Sequence, residues 1–481
     1  MQTTPQNSRT TAWIVALTGV GSLMAALDTL VVAAALTTIH ADLNASVTQL
    51  EWTVNGYNLS FAVLLIVGAG LGDRFGRRRM YATGLGLFAA ASAACALAPN
   101  VGWLIAARVV QGAGAALLVP VGLALLSAAF PPEKRGAALG LFSAITGVSV
   151  AAGPLVGGAV VQGLAWQWIF WLNVPIGVAA AAVTLVKLPE TFGPRSALDV
   201  RGLLLITLGS LGVVWGLVRG NDAGWGSAEI IAAIAGGAAL VCAFVLFEQR
   251  VTEPMLPMRL FRSRAFSAGN AAIFCTFGAL FAAVFFFAQF LQSGLGYSPL
   301  STGLRLLPWT ATFISIAPIA GAMADRIGER PLMTTGLVLQ AAGLAWVAAI
   351  AKTGLTYSDL IAPLILGGVG VSLAIPAAQN SVVGSVDDDD LGKAAGANSM
   401  MRELGGVFGV AVAVAAFAGG GHYGSPATFI DGFRPAIVAA AAISAVGAVA
   451  ASLLPTRRRG SEDVLTGGVT GGVVVASEAV A

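Results

Sequence analysis

The stretch Ala69-Gly-Leu-Gly-Asp73-Arg74-Phe-Gly76-Arg77-Arg78-Arg79 lies between two long apolar runs. About 250 residues further on it returns as Gly321-Ala-Met-Ala-Asp325-Arg326-Ile-Gly328-Glu-Arg330. Each copy follows an apolar run and reads Asp-Arg-x-Gly, then further cation. The glycine permits a sharp reversal of the chain. The aspartate is placed to cap or pair at the start of the next helix, while the arginines stay at the level of lipid head groups. One copy alone says little. Two copies at matching places in the two halves predict an internally duplicated membrane protein.

Composition agrees. Of 481 residues 57% are hydrophobic and only 10% charged, with a mean hydropathy of +0.84, too little charge to cover a soluble surface. Apolar runs recur at roughly 12–36, 50–72, 80–98, 102–126, 136–162, 166–187, 202–219, 228–247, 266–292, 301–324, 331–351, 358–383, 394–418 and 434–454. Each is long enough to cross the hydrocarbon core. Met1–Arg9 is polar and leads straight into the first run, so no cleavable signal is expected. Cys95, Cys242 and Cys275 all fall in apolar runs, and His40 and His422 in polar connections, without ligand spacing. No metal, disulfide framework or cofactor is expected. No nucleophile constellation or nucleotide loop supports an enzyme, and no soluble sensor domain supports a receptor.

The cations fix the predicted orientation through the positive-inside rule. With a cytoplasmic N-terminus, alternate loops carry Arg74–Arg79, Lys134-Arg135, Lys187/Arg195/Arg201, Arg250/Arg259/Arg262/Arg264, Arg326/Arg330, Lys393 and the tail Arg457–Arg459. The opposite loops carry mainly Arg219, Lys352 and Arg434. Both termini are therefore expected in the cytoplasm. Eight spans separate the two motif copies, where two six-span halves alone would place six. The surplus is the pair near 202–247, which follows the polar linker Pro189-Glu-Thr-Phe-Gly-Pro-Arg-Ser. The predicted order is a cytoplasmic segment 1–11, a six-helix bundle 12–187, a linker 188–201, two extra helices 202–247, a linker 248–265, a second six-helix bundle 266–456 and a disordered cytoplasmic tail 457–481.

Chemistry is carried by the polar groups inside the spans. Asp28, in Leu27-Asp28-Thr29-Leu30, is a carboxylate deep in the first apolar run; such a group is costly in lipid and marks a pathway or proton site. Arg108, in the fourth span, needs an acidic or carbonyl partner, and Asp28 is the candidate in this half. Gln111, Gly112 and Gly114 follow it, and the small residues let another helix approach closely. The fifth span holds Gly153-Pro154 and Gly157-Gly158, which predict a bend and a tight helix contact. The sixth opens with Trp166, Trp168 and Trp171, expected as interfacial anchors, and Asn173 and Pro175, which mark a local break.

Taken in order, these motifs resemble the major facilitator superfamily, specifically its fourteen-span EmrB/QacA-type drug:proton antiporters. The set includes Trp52 with Tyr57, Trp168-Ile-Phe with Asn173-Val-Pro175-Ile-Gly177, Leu291-Gln292 with Gly296-Tyr297-Ser298-Pro299, and Arg402-Glu403-Leu-Gly405-Gly406. It covers nearly the whole chain outside the tail. Ala69 stands where the family usually has Gly, Ala33 and Thr37 where it has Asn and Pro, and Gln167 where it has Arg.

The resemblance implies an all-α polytopic major facilitator fold of two six-helix bundles plus two extra central helices, fourteen transmembrane helices in all. It implies a secondary active transporter of the bacterial inner membrane, exporting lipophilic or cationic compounds against a proton gradient by alternating access. The alternatives are a proton-coupled uptake symporter and a non-transporting receptor. The expected partners are a small-molecule substrate, protons and the bilayer, with no nucleic acid, in a monomer. Asp28 and Arg108 would serve proton coupling. Asp73, Arg74, Gly76 and Arg77, with Asp325, Arg326, Gly328 and Arg330, would form gating loops. Gly153, Pro154, Gly157 and Gly158 would form the antiporter hinge. Tyr57, Asn58, Gln111, Phe286, Gln289, Gln292, Arg305 and Gln379 are candidate pocket residues. Arg402-Glu403 is expected as an internal pair or gate latch, and Asp387–Asp390 as a solvated loop. With few carboxylates beyond Asp28 in the central spans, a neutral or monocationic substrate is expected.

Overall fold

A computed structural model describes residues 8–130, 149, 152–193, 199–252, 254–386 and 390–455. The predicted tail, Lys134-Arg135 and the first part of the fifth span lie outside these residues. Among the described residues every element is helical: α1 (Ser8–Leu43), α2 (Val47–Phe75), α3 (Arg77–Ala96), α4 (Val101–Ala129), α5 (152–163), α6 (Trp168–Lys187), α7 (Val200–Ala223), α8 (Ala228–Glu248), α9 (Arg264–Gly294), α10 (Pro299–Ile327, with a break at Leu306), α11 (Glu329–Ile350), α12 (Tyr357–Val383), α13 (Leu391–Ala418) and α14 (Pro426–Ser452). Twelve are long and apolar enough to cross a membrane; α3 and α5 complete the fourteen.

Local chemistry sets their ends. Ser46 and Gln49 form a reciprocal capping box at the start of α2, Asn100 caps α4 through the Trp103 N–H at 2.9 Å, and Ser425 with Thr428 boxes the start of α14. Gly76 and Gly328 sit at φ of +103° and +85° between α2 and α3 and between α10 and α11. That backbone is open to glycine and strained for other residues, which is why both motif copies carry it.

Two helices run well beyond their predicted limits. α1 continues past residue 36 to Leu43, so His40 lies in a helix rather than a connection. It starts at Ser8, inside the segment expected to precede the membrane. α14 begins at Pro426, so Arg434 is helical, and it donates from Nε (2.8 Å) and Nη2 (2.5 Å) to the Ala351 carbonyl. Polar residues in these turns dilute hydropathy without breaking the helix.

The duplication is written in the packing. In the first half α2 packs on α4, α3 on α4 and α6, and α1 on α4 and α6. In the second half the same pairs return with each index raised by eight: α10 on α12, α11 on α12 and α14, α9 on α12 and α14. α7 and α8 pack on each other and stand outside this repeat. α7 rests on both α2 and α13, with Trp52 and Trp215 6.0 Å apart and the Asn221 amide donating to the Ala415 carbonyl at 2.6 Å. The halves meet where α2 packs on α13 and α1 on α9 and α10.

Glycines permit the closest crossings. A Cβ at Gly112 would collide with the Tyr57 carbonyl and the Ser60 hydroxyl, and one at Gly114 would lie 2.9 Å from the Phe88 nitrogen. Gly112→Ala is expected to force α4 off α2 and destabilise the fold by about 1–3 kcal/mol. A melting curve of the purified variant in detergent checks this, with Gly86→Ala, where a Cβ meets open space, as the neutral control.

Candidate functional site

Four helices converge on Asp28. From α4, Arg108 points Nη1 at Asp28 Oδ2, and both side chains are inside the protein, at 0% and 3% exposure. Asp28 Oδ1 accepts from Gln111 Nε2 at 2.9 Å and from Asn173 Nδ2 of α6 at 3.3 Å. Gln111 also accepts from Arg108 Nη1 at 2.7 Å and donates to Ser92 Oγ of α3 at 2.8 Å. Arg108 Nε donates to the Thr53 carbonyl of α2 at 2.9 Å. The Tyr57 ring lies 4.2 Å from the guanidinium carbon, and the Tyr57 hydroxyl donates to the Ala25 carbonyl at 3.1 Å. The pair predicted from sequence is formed. Each charge is neutralised by the other and by neutral donors or acceptors, the condition for keeping ions away from water. Arg108 Nη2 alone has no partner.

Asn173, Ser92 and Thr53 belong to this cluster without having been assigned to it. Asn173 was legible as a polar residue within an apolar run. Ser92 was not, because a single hydroxyl in a span usually bonds its own backbone. Thr53 contributes only its carbonyl.

The predicted loops and pocket are more dispersed. Asp73 pairs with Arg77 at 2.8 Å, while Arg74 is exposed. The linker after α6 is strapped onto this loop. Glu190 accepts from the Arg78 N–H at 2.9 Å, Arg77 N–H donates to the Thr191 carbonyl at 2.8 Å, and Gly193 N–H to the Asp73 carbonyl at 3.2 Å. Glu190 thus serves an α3 N-terminus that lacks a capping side chain of its own. Arg330 is half-buried beside Gly328; the side chains of Asp325 and Arg326 lie outside the described residues.

The glycines of α5 divide their work. A Cβ at Gly153 would lie 2.6 Å from Leu30 Cβ and one at Gly157 2.9 Å from the Val31 carbonyl, both on α1. A Cβ at Gly158 would strike the Pro299 carbonyl of α10, and one at Gly303 of α10 would lie 2.5 Å from the Pro154 carbonyl. The predicted hinge therefore crosses both its own bundle and the other one.

Other contacts join the halves at the end opposite the motif loops. Gln292 of α9 receives the Thr37 hydroxyl of α1 and donates to the Ala34 carbonyl at 3.1 Å. His40 stacks on Tyr423 with ring centres 4.3 Å apart. Phe286 stacks on Phe417 at 5.2 Å, and Gln289 donates to the Phe285 carbonyl at 2.6 Å within its own helix. Arg305 lies away from Asp28, bonded to Ser301 and stacked over Tyr297 at 3.9 Å. Gln379 is half-buried on α12. Of the pocket candidates, Tyr57 and Gln111 come together at the Arg108–Asp28 pair.

One reading of the acidic residues needs correction. Asp390 is buried and paired with Arg259 at 2.7 Å, not solvated; Asp387–Asp389 lie outside the described residues. The few further acids buried within the spans include Glu51 and Glu403. Glu403 pairs with Arg402 at 2.8 Å, the internal pair expected from sequence.

Comparison with known proteins identifies the family. The model of the Major Facilitator Superfamily matches residues 18–410 and, in a second match, 269–476. The chain belongs to the major facilitator superfamily. It is 36% identical to a tetracenomycin C resistance and export protein of Streptomyces glaucescens, over 82% of this chain and 73% of that protein. It is 36% identical to a methylenomycin A resistance protein of Streptomyces coelicolor, over 81% of this chain and 82% of that protein. Identity to a cephamycin export protein of Amycolatopsis lactamdurans is 32% over 95% of both. Among solved structures, a POT family transporter in complex with a thioalcohol-conjugated peptide superposes with a TM-score of 0.68 at 13% identity, covering 90% of this chain and 94% of that one, a likeness of fold. This superfamily member is an all-α, multi-pass membrane protein whose relatives are transporters rather than enzymes, and the fourteen helical segments fit the expected fourteen-span subfamily.

Because Arg108 and Asp28 neutralise each other, losing one should cost more than losing both. Arg108→Gln alone is expected to cost about 3–5 kcal/mol by stranding a buried carboxylate. The Asp28→Asn/Arg108→Gln double variant should recover part of that loss. Thermal melts of purified Asp28→Asn, Arg108→Gln and the double variant read the coupling directly.

Proposed function

We propose that this protein exports lipophilic small molecules in exchange for protons, by alternating access between two six-helix bundles. The observation that carries the reading is the Asp28–Arg108 pair, buried among four helices of one bundle and bonded to Gln111 and Asn173. A proton arriving at Asp28 removes its charge and with it most of the attraction for Arg108. The guanidinium then loses its counter-ion and must be satisfied by carbonyls, the Tyr57 ring and water. The arrangement of α1, α4 and α6 that suited the ion pair is no longer the favoured one, so protonation biases a two-state equilibrium. Each proton entering across about 100 mV contributes roughly 2.3 kcal/mol toward uphill export.

The remaining geometry supports the same reading. With the motif loops cytoplasmic and both termini on that side, as the cation distribution predicts, the Thr37–Gln292 and His40–Tyr423 contacts close the outer end. Asp73 is then satisfied within its own half and the linker, leaving the cytoplasmic side free to part. The glycine seam of α5 lets the bundles slide on α1 and α10 without unpacking. On this reading the bundles span 12–187 and 266–456, with 202–247 inserted between them. The protein works in the inner membrane, moving lipophilic compounds akin to the antibiotics for which its relatives are named.

Proton flux in proteoliposomes tests this. With a pH gradient imposed and an internal pH dye, lipophilic dyes and antibiotics should elicit proton movement in the wild type and none in Asp28→Asn. Equal substrate-driven flux in both proteins would remove Asp28 from the coupling step.

A further inference from the structure

α2 carries two polar stripes on nearly opposite sides. Thr53, Tyr57 and Ser60 face α4 and serve the Arg108 cluster. Glu51, Asn55 and Asn58 repeat the same i, i+4, i+7 spacing about 200° around the helix. This second stripe faces α13 of the other bundle, where Asn55 Nδ2 meets the Val407 carbonyl at 3.5 Å. Because α13 runs antiparallel to α2, Glu403, one turn before Val407, comes roughly level with Asn58.

All four polar side chains are buried, yet their hydrogen-bonding capacity is largely unused. Glu51 Oε1 accepts from Asn55 Nδ2 at 2.9 Å. Glu51 Oε2, Asn55 Oδ1, both Asn58 amide atoms and Glu403 Oε2 have no partner. Four of these five atoms are acceptors. Asp28 and Glu403 each hold an arginine, but among the described residues Glu51 has no cation within ion-pair distance. Arg402, the nearest cation along α13, is engaged by Glu403 and lies over the Phe277 ring at 5.7 Å. A buried carboxylate in this position is stable only with a bound proton or a cationic partner. Leu50 and Val54, flanking Glu51, belong to the apolar cluster that contains Phe286 and Phe417.

We infer that the α2–α13 seam is a binding site for the protonated amine of a lipophilic substrate, with Glu51 as its counter-ion. Asn55 and Asn58 supply carbonyl oxygens for the remaining ammonium hydrogens, and the aromatic cluster receives the apolar body. The site spans both bundles, so its occupant reports the relative position of the two halves. Asp28 is saturated by protein donors and is not this site. The inference rests on the export reading and specifies what it recognises.

The test uses the full chain in nanodiscs and two fluorescent probes, dansylcadaverine, charged at pH 7, and its neutral N-acetyl derivative. Wild type should bind the amine at least tenfold more tightly than the acetylated probe. Glu51→Gln should bring the two within twofold of each other while leaving the acetylated probe's affinity unchanged, and Glu51→Asp, which keeps the charge, should retain a preference. Asn58→Leu should weaken only the amine. A wild type without preference, or a preference that survives Glu51→Gln, would overturn the inference and leave the seam satisfied by water. Transport of both probes on the same samples separates the two claims. Proton-coupled export of the acetylated probe by Glu51→Gln keeps the export reading whatever becomes of the amine site. Amine preference without export of either probe would sink export and leave the site standing.

Discussion

A carboxylate and a guanidinium held away from water constrain everything around them. Taken from water, each ion loses several kcal/mol of hydration, and only a partner with further hydrogen bonds offsets that loss. Asp28 and Arg108 meet the condition by recruiting four helices beyond α1. α3 supplies Ser92 to hold Gln111, α4 supplies Gln111 itself, α6 supplies Asn173, and α2 supplies the Thr53 carbonyl and the Tyr57 ring. Gly112 is the geometric counterpart, since without a side chain there α4 comes close enough to α2 for Arg108 to reach that carbonyl. The first bundle is in this sense assembled around one ion pair. Any change in its charge is felt by every helix that satisfies it.

The second bundle repeats the packing but not the chemistry. Its helices pair as those of the first do, with every index shifted by eight, while its buried ion pair, Arg402–Glu403, is between neighbours on one helix. Duplication thus supplies two bundles of like packing, and among the described residues the fully buried inter-helix charge pair lies in the first of them. The inserted α7 and α8 leave the repeat intact. An even number of added spans keeps both motif loops at one end, and α7 is laid along the α2–α13 junction, where the halves meet.

The sequence made the scaffold legible because the bilayer demands long apolar helices, and the duplicated Asp-Arg-x-Gly reversal marks the symmetry. The Asp28–Arg108 pairing was legible for a related reason: a lone charge in such a helix has few possible partners. Contacts across the halves were harder to read. Thr37 meeting Gln292 and His40 stacking on Tyr423 depend on how the bundles lie against each other, which no local pattern specifies. Glu51 was passed over because it stands at the edge of a predicted span, where acids are ordinary; only its burial distinguishes it. The signal that would have found it is the i, i+4, i+7 spacing with Asn55 and Asn58. Arg305 and Gln379 were picked out by polarity alone; the structure ties Arg305 to Ser301 and Tyr297 and leaves Gln379 half-buried on α12.

The central claim is that the charge state of Asp28 decides which end of the molecule is closed. Distances between spin labels test it most directly in a cysteine-free background, one pair at Thr83 and Ile327 near the motif loops and another at Leu97 and Lys352 at the opposite end. Acidification of the wild type should lengthen the Leu97–Lys352 distance and shorten the Thr83–Ile327 distance. Asp28→Asn should hold the acid-form distances at every pH. Distances that respond to pH identically in both proteins would contradict the account, because the switch would then reside in another group.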